Sequence, residues 1–249
     1  TARESLQQFL KQKNLKWVSD PSNSNENFER IAQRKTWEIL KVKGFSENRI
    51  QLSADHMRRA HDALNQMLPI HFKQIGKQEL TDLLWEYKSF VLLPEEFKLR
   101  LISAVIMWNA NLHYRPRFTA VLDILKNIKA KKTAVLGGAI FYYHAGKIRI
   151  TTEFQSIKDK TVNCTPGLVW RNTWEVKREI KDAYIAAIGI DGNKQLSKLQ
   201  RSVMPHRSRI IQPGIFLKGK LLVAPTLDSG GSEYLSFCGI KFNDFLENH

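Results

Sequence analysis

The sequence has no apolar run long enough to cross a membrane as a helix. Such a helix needs roughly 20 consecutive apolar residues, and the longest apolar segment, residues 101–108, is much shorter. The amino terminus also lacks the charged-then-apolar pattern of a signal peptide. The sequence therefore predicts a soluble protein and no membrane partner.

Cysteine is scarce. Cys164 and Cys238 are the only two cysteines, and neither belongs to a Cys-x-x-Cys pair, so no disulfide framework or zinc site is indicated. Among the seven histidines, His56, His61 and His71 lack the His-Glu-x-x-His spacing. We expect no metal site and buried, reduced thiols, which suit a cytoplasmic protein.

Acidic residues are few relative to basic ones. The 39 lysines and arginines against 24 aspartates and glutamates give a net charge of +15 and a pI near 9.8. Such a surplus attracts polyanions and favours contacts to phosphate groups. Nucleic acid is therefore the leading predicted partner of a chain whose 43% hydrophobic content is ordinary for a folded protein.

The order of the predicted elements favours an α+β fold, because helical periodicity dominates the first half and strand patterns the second. We expect helices over residues 2–14, 28–43, 46–68 (ended by Pro69), 94–112 and 116–129, whereas residues 80–93 fit a helix or a strand. We further expect a meander over 133–150, single strands over 169–176 and 183–188, a short helix over 193–200 and a hairpin over 216–223.

A polar turn near the amino terminus leads directly into a basic helix. The turn signal consists of four residues: Asp20, Pro21, Ser22 and Asn23. Proline presets φ, and short polar side chains bond nearby backbone amides. In the helix that follows, Arg30 and Arg34 lie one turn apart and share a face, with Lys35 beside them. Taken alone, the tetrapeptide is also typical of an ordinary surface turn.

This segment resembles the Asp-Pro-Ser/Thr-Asn segment of bacterial tRNA(Ile)-lysidine synthetases, and further matches follow in order along the chain. They are residues 136–138 with 146–153, and residues 204–213 with 219–225. The resemblance implies an enzyme that uses ATP and Mg to adenylate C2 of the wobble cytidine in an isoleucine tRNA with a CAU anticodon. The amine of free lysine then displaces AMP, and the tRNA changes from methionine to isoleucine identity.

The resemblance also implies how the chain is divided. Residues 1–27 would be a linker helix and loop from a missing catalytic domain, residues 28–131 a helical substrate-binding domain that holds tRNA, and residues 132–249 a β-rich domain. The start at Thr1 rather than Met is typical of a piece of a longer chain. We therefore expect the chain by itself to contain no catalytic residues, to hold no cofactor and not to make lysidine.

One segment partly matches the family's Ser-Gly-Gly-x-Asp-Ser phosphate loop. Residues 228–233 contain Ser-Gly-Gly but lack the Asp-Ser ending and do not lead into a helical pattern. A glycine pair of this kind is typical of a flexible loop. We therefore do not interpret this segment as an ATP site.

The candidate tRNA-binding residues are the cations of several predicted helices and loops, because cations contact backbone phosphates. They are Arg30, Arg34, Lys35, Arg58, Arg59, Arg115, Arg117, Lys131 and Lys132. Residues 113–118 also interleave aromatic side chains with arginine, a composition that can stack on exposed bases. The alternatives are that many of these cations are solvated surface charges and that Phe118 lies in the core.

Two other functions remain open. The chain could be a stand-alone basic domain that binds nucleic acid or protein, although no helix-turn-helix or RNP-like pattern is evident. It could also be a self-sufficient enzyme with an unrecognised site. The sequence leaves open whether the protein forms a homodimer.

Overall fold

The structure, a computed structural model, describes residues 3–15 and 29–248. Two compact units are distinguished, Thr1–Ala60 and His61–His249. Helices come first and antiparallel sheets follow, which confirms the predicted α+β class. The predicted turn at Asp20, Pro21, Ser22 and Asn23 lies outside the described residues. None of the described helices is both long and apolar enough to cross a membrane.

The first unit is helical. It contains α1 (Arg3–Gln12), α2 (Glu29–Val42) and most of α3 (Glu47–Gln66). Helix α2 ends at Val42, one residue before its predicted end, and the glycine predicted to cap it, Gly44, has a φ of 88°, the left-handed conformation that favours glycine at a helix end. The indole of Trp37 in α2 donates a hydrogen bond of 2.9 Å to Glu47 at the start of α3.

The helical part of the second unit corrects two expectations. Helix α3 ends at Gln66, and Pro69 lies in the first turn of a new helix, α4 (Leu68–Ile75), instead of ending α3. Proline is accepted there because N–H groups in the first turn of a helix have no intrahelical partner. The ambiguous residues 80–93 form both a strand and a helix. In order, the elements are β1 (Gly76–Glu79), β2 (Asp82–Glu86), α5 (Tyr87–Leu92), α6 (Glu95–Ala110) and α7 (Phe118–Lys129).

The predicted meander joins these strands in a five-stranded antiparallel sheet. Its strands β3 (Ala134–Leu136), β4 (Ala139–His144) and β5 (Lys147–Thr152) complete the order β1-β2-β5-β4-β3. The sheet thus takes strands from both sides of the boundary predicted at residue 131. The predicted domain limits, 1–27, 28–131 and 132–249, stay a prediction.

The two faces of this sheet differ because side chains alternate along a strand. Ile148 and Ile150 of β5 belong to the apolar core that includes Trp85, Phe90 and the buried sides of α4, α6 and α7. Arg149, between them, belongs to the opposite face, where its Nε donates to Asp82 Oδ2 (2.7 Å) and to Ser208 Oγ (2.8 Å). This buried polar contact attaches the sheet to the carboxyl-terminal region.

That region contains two smaller sheets and four short helices. One sheet has the order β11-β10-β9-β6 and the other β12-β8-β7. The strands are β6 (Val162–Asn163), β7 (Val169–Trp170), β8 (Trp174–Val176), β9 (Ala183–Ala187), β10 (Pro213–Leu217), β11 (Lys220–Val223) and β12 (Leu235–Phe237). The helices are α8 (Gly189–Gln195), α9 (Lys198–Ser202), α10 (His206–Arg209) and α11 (Phe242–Asn248).

The single strand expected over residues 169–176 is wrong. The chain reverses within it, so that β7 and β8 form a hairpin in which Trp170 pairs with Trp174. Arg171 and Asn172 at the turn have φ values of 57° and 53°. Two consecutive residues with positive φ are typical of a tight hairpin turn, but Arg-Asn lacks the glycine that normally indicates one.

Candidate nucleic-acid interface

The connection between α6 and α7 forms an exposed corner of basic and aromatic residues, here called the corner (residues 112–118). Helix α6 ends at Asn111 in the left-handed conformation, and α7 begins after Pro116 and Arg117. Tyr114 is 86% exposed and Phe118 is 63% exposed. The alternative that Phe118 lies in the core is therefore wrong, and both rings are free to stack on bases.

Arg115 of the corner lies in a cluster of polar side chains. One of its terminal nitrogens is 3.3 Å from Nε2 of His61. Arg100 is 3.2 Å from the other ring nitrogen and donates to Asn65 Oδ1 at 2.6 Å and to Glu96 Oε1 at 2.7 Å. Burial, and then the positive charges of Arg100 and Arg115, lower the pKa of His61. The imidazole is therefore harder to protonate than an exposed one.

A cavity of about 240 Å³ lies beside this cluster. Its polar wall includes Asn65, Arg100, His113 and Arg115, and its apolar wall includes Leu68, Met107 and Phe245. The cavity has two arginines and no carboxylate among its lining residues. Its charge suits a phosphate or the polar edge of a base.

The corner and the Lys131–Lys132 pair lie at opposite ends of α7. Lys131 Nζ lies 5.0 Å from the ring centre of Tyr87 and 4.9 Å from that of Tyr143, and the two rings meet edge to face. Arg117 and Lys132 are exposed, and neither side chain makes a hydrogen bond or ion pair within the described part of the chain. Twelve helical residues span about 18 Å, so the two groups would contact different phosphates.

The candidate cations of the first unit differ in what the structure shows of them. Arg58 forms an ion pair of 2.8 Å with Asp55 on α3, and Arg59 is exposed. The backbones of Arg30, Arg34 and the exposed Lys35 lie on α2, but the side chains of Arg30 and Arg34 lie outside the described residues. The proposed roles of these residues stay predictions.

The basic run at residues 201–209 is partly structural. Arg209 is 7% exposed and donates to Asn193 Oδ1 at 2.7 Å and to the carbonyl oxygens of Arg201 and Met204. Its guanidinium is therefore unavailable to RNA. This role could not be predicted from the sequence, because it depends on how α8 and residues 201–204 fold around the guanidinium.

The imitation of a phosphate loop at residues 228–233 is a closed turn. The amides of Gly231, Glu233 and Tyr234 donate to carbonyl oxygens within the turn. A Cβ on Gly231 would lie 1.9 Å from the carbonyl oxygen of Pro225, so the turn packs directly on the backbone. These amides do not fit the phosphates of ATP. Within residues 3–15 and 29–248, no group of three His, Cys, Asp or Glu side chains is placed to hold a metal ion.

Comparison with known proteins agrees with the resemblance seen in the sequence. The chain is 27% identical over 224 residues to a tRNA(Ile)-lysidine synthase of Ruegeria pomeroyi. The aligned region covers 90% of this chain and 53% of that protein. It is 30% identical over 166 residues to a tRNA(Ile)-lysidine synthase of Wolbachia pipientis, which covers 65% of this chain and 38% of that protein. The chain thus spans about half or less of these relatives. No family model matches it.

Proposed function

We propose that this chain, which is similar to tRNA(Ile)-lysidine synthases over most of its length, is the tRNA-holding part of such an enzyme. The complete enzyme would ligate lysine to the wobble cytidine of an isoleucine tRNA with a CAU anticodon, using ATP. The similarity over 90% of the chain carries this proposal. The net charge of +15 supports it, because RNA phosphates bind surfaces with surplus cations.

The corner supports a role in holding single-stranded nucleotides. Tyr114 and Phe118 are both exposed, and in the sequence they flank Arg115 and Arg117. Sequence-specific RNA recognition relies on unstacked bases that pack on aromatic or arginine side chains. An anticodon loop offers such bases, whereas a regular duplex does not.

The complete enzyme would use ATP as a substrate and Mg²⁺ as a cofactor, and it would act in the cytoplasm. The turn at residues 228–233 does not fit ATP phosphates, so we assign no step of adenylation to it. In this proposal the described residues bind and orient the tRNA.

A filter-binding experiment tests the proposal. The chain should bind a folded tRNA more tightly than a DNA duplex of equal length, and its affinity should fall steeply with salt. The double variant Tyr114→Ala/Phe118→Ala should lose about 30-fold or more in tRNA affinity, since it removes two stacking rings and stacking contributes about 1–3 kcal/mol per base.

Leu199→Ala is the matched control, because Leu199 is an exposed apolar residue (80%) on α9. It should leave tRNA affinity unchanged. Equal affinity of the wild-type chain for tRNA and duplex DNA would refute tRNA recognition. That result would favour the alternative, a stand-alone basic domain that binds nucleic acid or protein.

A further inference from the structure

A second basic cavity lies at the carboxyl-terminal end of α6, and no part of the proposed function uses it. It has a volume of about 390 Å³ and is here called the Arg171 cavity. Four segments line it: the end of α6, the β3–β4 turn, the residues after β5 and the β7–β8 turn. They contribute Asn109, Gly138, Ser156, Lys160, Arg171 and Asn172. A smaller adjoining cavity of about 140 Å³ shares Asn109, Arg171 and Asn172.

Arg171 is held in place but its charge is not neutralised. Its Nη2 donates to Thr152 Oγ1 at 3.0 Å, and its guanidinium lies 5.3 Å from the ring centre of Trp170. A guanidinium has five N–H donors, and this is the single hydrogen bond that the Arg171 guanidinium makes within the described residues. No carboxylate of those residues lies within ion-pair distance of it. Burial alone lowers the pKa of Arg171 to about 10, so the side chain stays positive at pH 7.

The hydrogen bonds around Arg171 fix its position. Thr152 Oγ1 accepts from Arg171 and donates to Asn109 Oδ1 at 2.8 Å, and Thr152 is buried at the end of β5. This leaves the amide nitrogen of Asn109 with a long contact of 3.4 Å to the carbonyl of Gly137. The amide is thus a second donor available at the same wall.

The remaining wall keeps the cavity cationic. Lys160 is exposed at its edge, and none of the residues that line either cavity is Asp or Glu. Gly138, with a φ of 72°, closes the wall so tightly that a Cβ would lie 3.3 Å from Ser156 Oγ. Two cations and several amide and hydroxyl groups therefore surround a space that holds no acidic residue. Planar guanidinium donors match the oxygens of phosphate.

We propose that the Arg171 cavity binds a phosphate group through Arg171, Lys160 and the amide of Asn109. The phosphate comes either from the backbone of a bound tRNA, in which case the inference rests on the proposed function, or from free phosphate. The shared chemistry is a tetrahedral oxyanion.

Two variants lower the net positive charge of the cavity, one by removing a cation and the other by adding an anion. Arg171→Met keeps an unbranched aliphatic stem and removes the charge and the N–H donors. Asn172→Asp adds a carboxylate at an exposed turn position and leaves Arg171 intact. Arg178→Met is the matched control, because it removes one arginine that is exposed and already paired with Glu233 at 3.0 Å. Thermal melting checks that all three variants are folded.

The first measurement is calorimetric titration with inorganic phosphate in a chloride buffer. Arg171→Met and Asn172→Asp should weaken binding about tenfold or more, the effect of losing hydrogen bonds to a charged group. Arg178→Met should bind as the wild-type chain does. The second measurement is the salt dependence of tRNA affinity, in which Arg171→Met should reduce the slope of log K against log salt by about 1.

The outcomes separate the two sources. Loss of phosphate binding with an unchanged tRNA slope identifies free phosphate as the ligand. A reduced tRNA slope, with or without binding of free phosphate, identifies an RNA phosphate. The inference is overturned if neither phosphate binding nor the tRNA slope depends on Arg171, or if Arg178→Met has the same effect. Failure of tRNA recognition would leave the phosphate titration as an independent test.

Discussion

The buried contact between Arg149 and Asp82 lets us predict how much a substitution at Arg149 lowers the free energy of unfolding. The two side chains are 9% and 1% exposed, and Nε of Arg149 lies 2.7 Å from Oδ2 of Asp82. The variant Arg149→Met fills similar volume but leaves the carboxylate of Asp82 buried without its cation. Removing one partner of a buried ion pair costs about 3–5 kcal/mol.

A double variant removes both charges of the buried pair. In Asp82→Leu/Arg149→Met the buried charge is gone, and replacing a whole buried pair by apolar side chains is close to neutral. The double variant should therefore be more stable than Arg149→Met by about 2 kcal/mol or more. Arg178→Met, which breaks an exposed pair, should cost less than about 1 kcal/mol.

The loss of folding stability in Arg149→Met should also depend on pH. Burial raises the pKa of Asp82, and removing Arg149 takes away the charge that opposes this rise. A carboxyl group whose pKa is raised in the folded state destabilises that state as the pH rises from the unfolded pKa through the folded one. Neutralising a carboxyl of pKa 3.8 costs about 4.4 kcal/mol at pH 7 and about 1.6 kcal/mol at pH 5, so the variant should recover stability at pH 5 relative to the wild-type chain.

Urea unfolding followed by far-ultraviolet circular dichroism at pH 5 and pH 7 measures these differences. A loss below about 1 kcal/mol at pH 7 in Arg149→Met would show that the contact contributes no more than a surface pair. An equal loss at both pH values would show that an uncompensated carboxylate is not the cause.

Two further predictions concern the turn at residues 228–233 and the cluster beside the corner. Gly231→Ala should lower the melting temperature by several degrees or prevent folding, because its Cβ would overlap the backbone of Pro225. The control Gly230→Ala, whose Cβ would have its nearest neighbour at 4.0 Å, should melt close to the wild-type chain. Equal melting temperatures of the two variants would contradict the packing. In an NMR titration, His61 should have a pKa below 6.5, and Arg115→Met should raise it because one repelling cation is removed; an unchanged pKa would contradict the electrostatic coupling.

The sequence predicted those parts of the fold that depend on local signals. Pro94 and Pro116 precede α6 and α7, and turns that contain glycine, at residues 137–138 and 146, separate the strands of the meander. The hairpin at Arg171 and Asn172 was missed because its turn has positive φ without glycine. The pairing of β2 with β5 was also missed, since the partners lie more than 60 residues apart and only the folded chain brings their apolar sides to one face.

The candidate site shows a similar limit. The sequence identified the cations and the aromatic residues of the corner, and the exposure of Tyr114 and Phe118 fits that prediction. It did not distinguish cations that remain available from those such as Arg209, which the fold uses internally. That distinction depends on carbonyl and carboxylate oxygens whose positions are set by tertiary packing rather than by neighbours in the chain.

Comparison of three arginines explains why Arg171 indicates a ligand. A guanidinium withdrawn from water is stable when oxygen atoms replace its hydration. Arg149 has the carboxylate of Asp82 and a hydroxyl, and Arg209 has a side-chain amide and two carbonyls. Arg171 has one hydroxyl from Thr152 and an aromatic ring, although burial lowers its pKa more clearly than that of Arg209. An oxyanion in the cavity would supply the acceptors that Arg171 lacks, and so would stabilise this turn as well as occupy it.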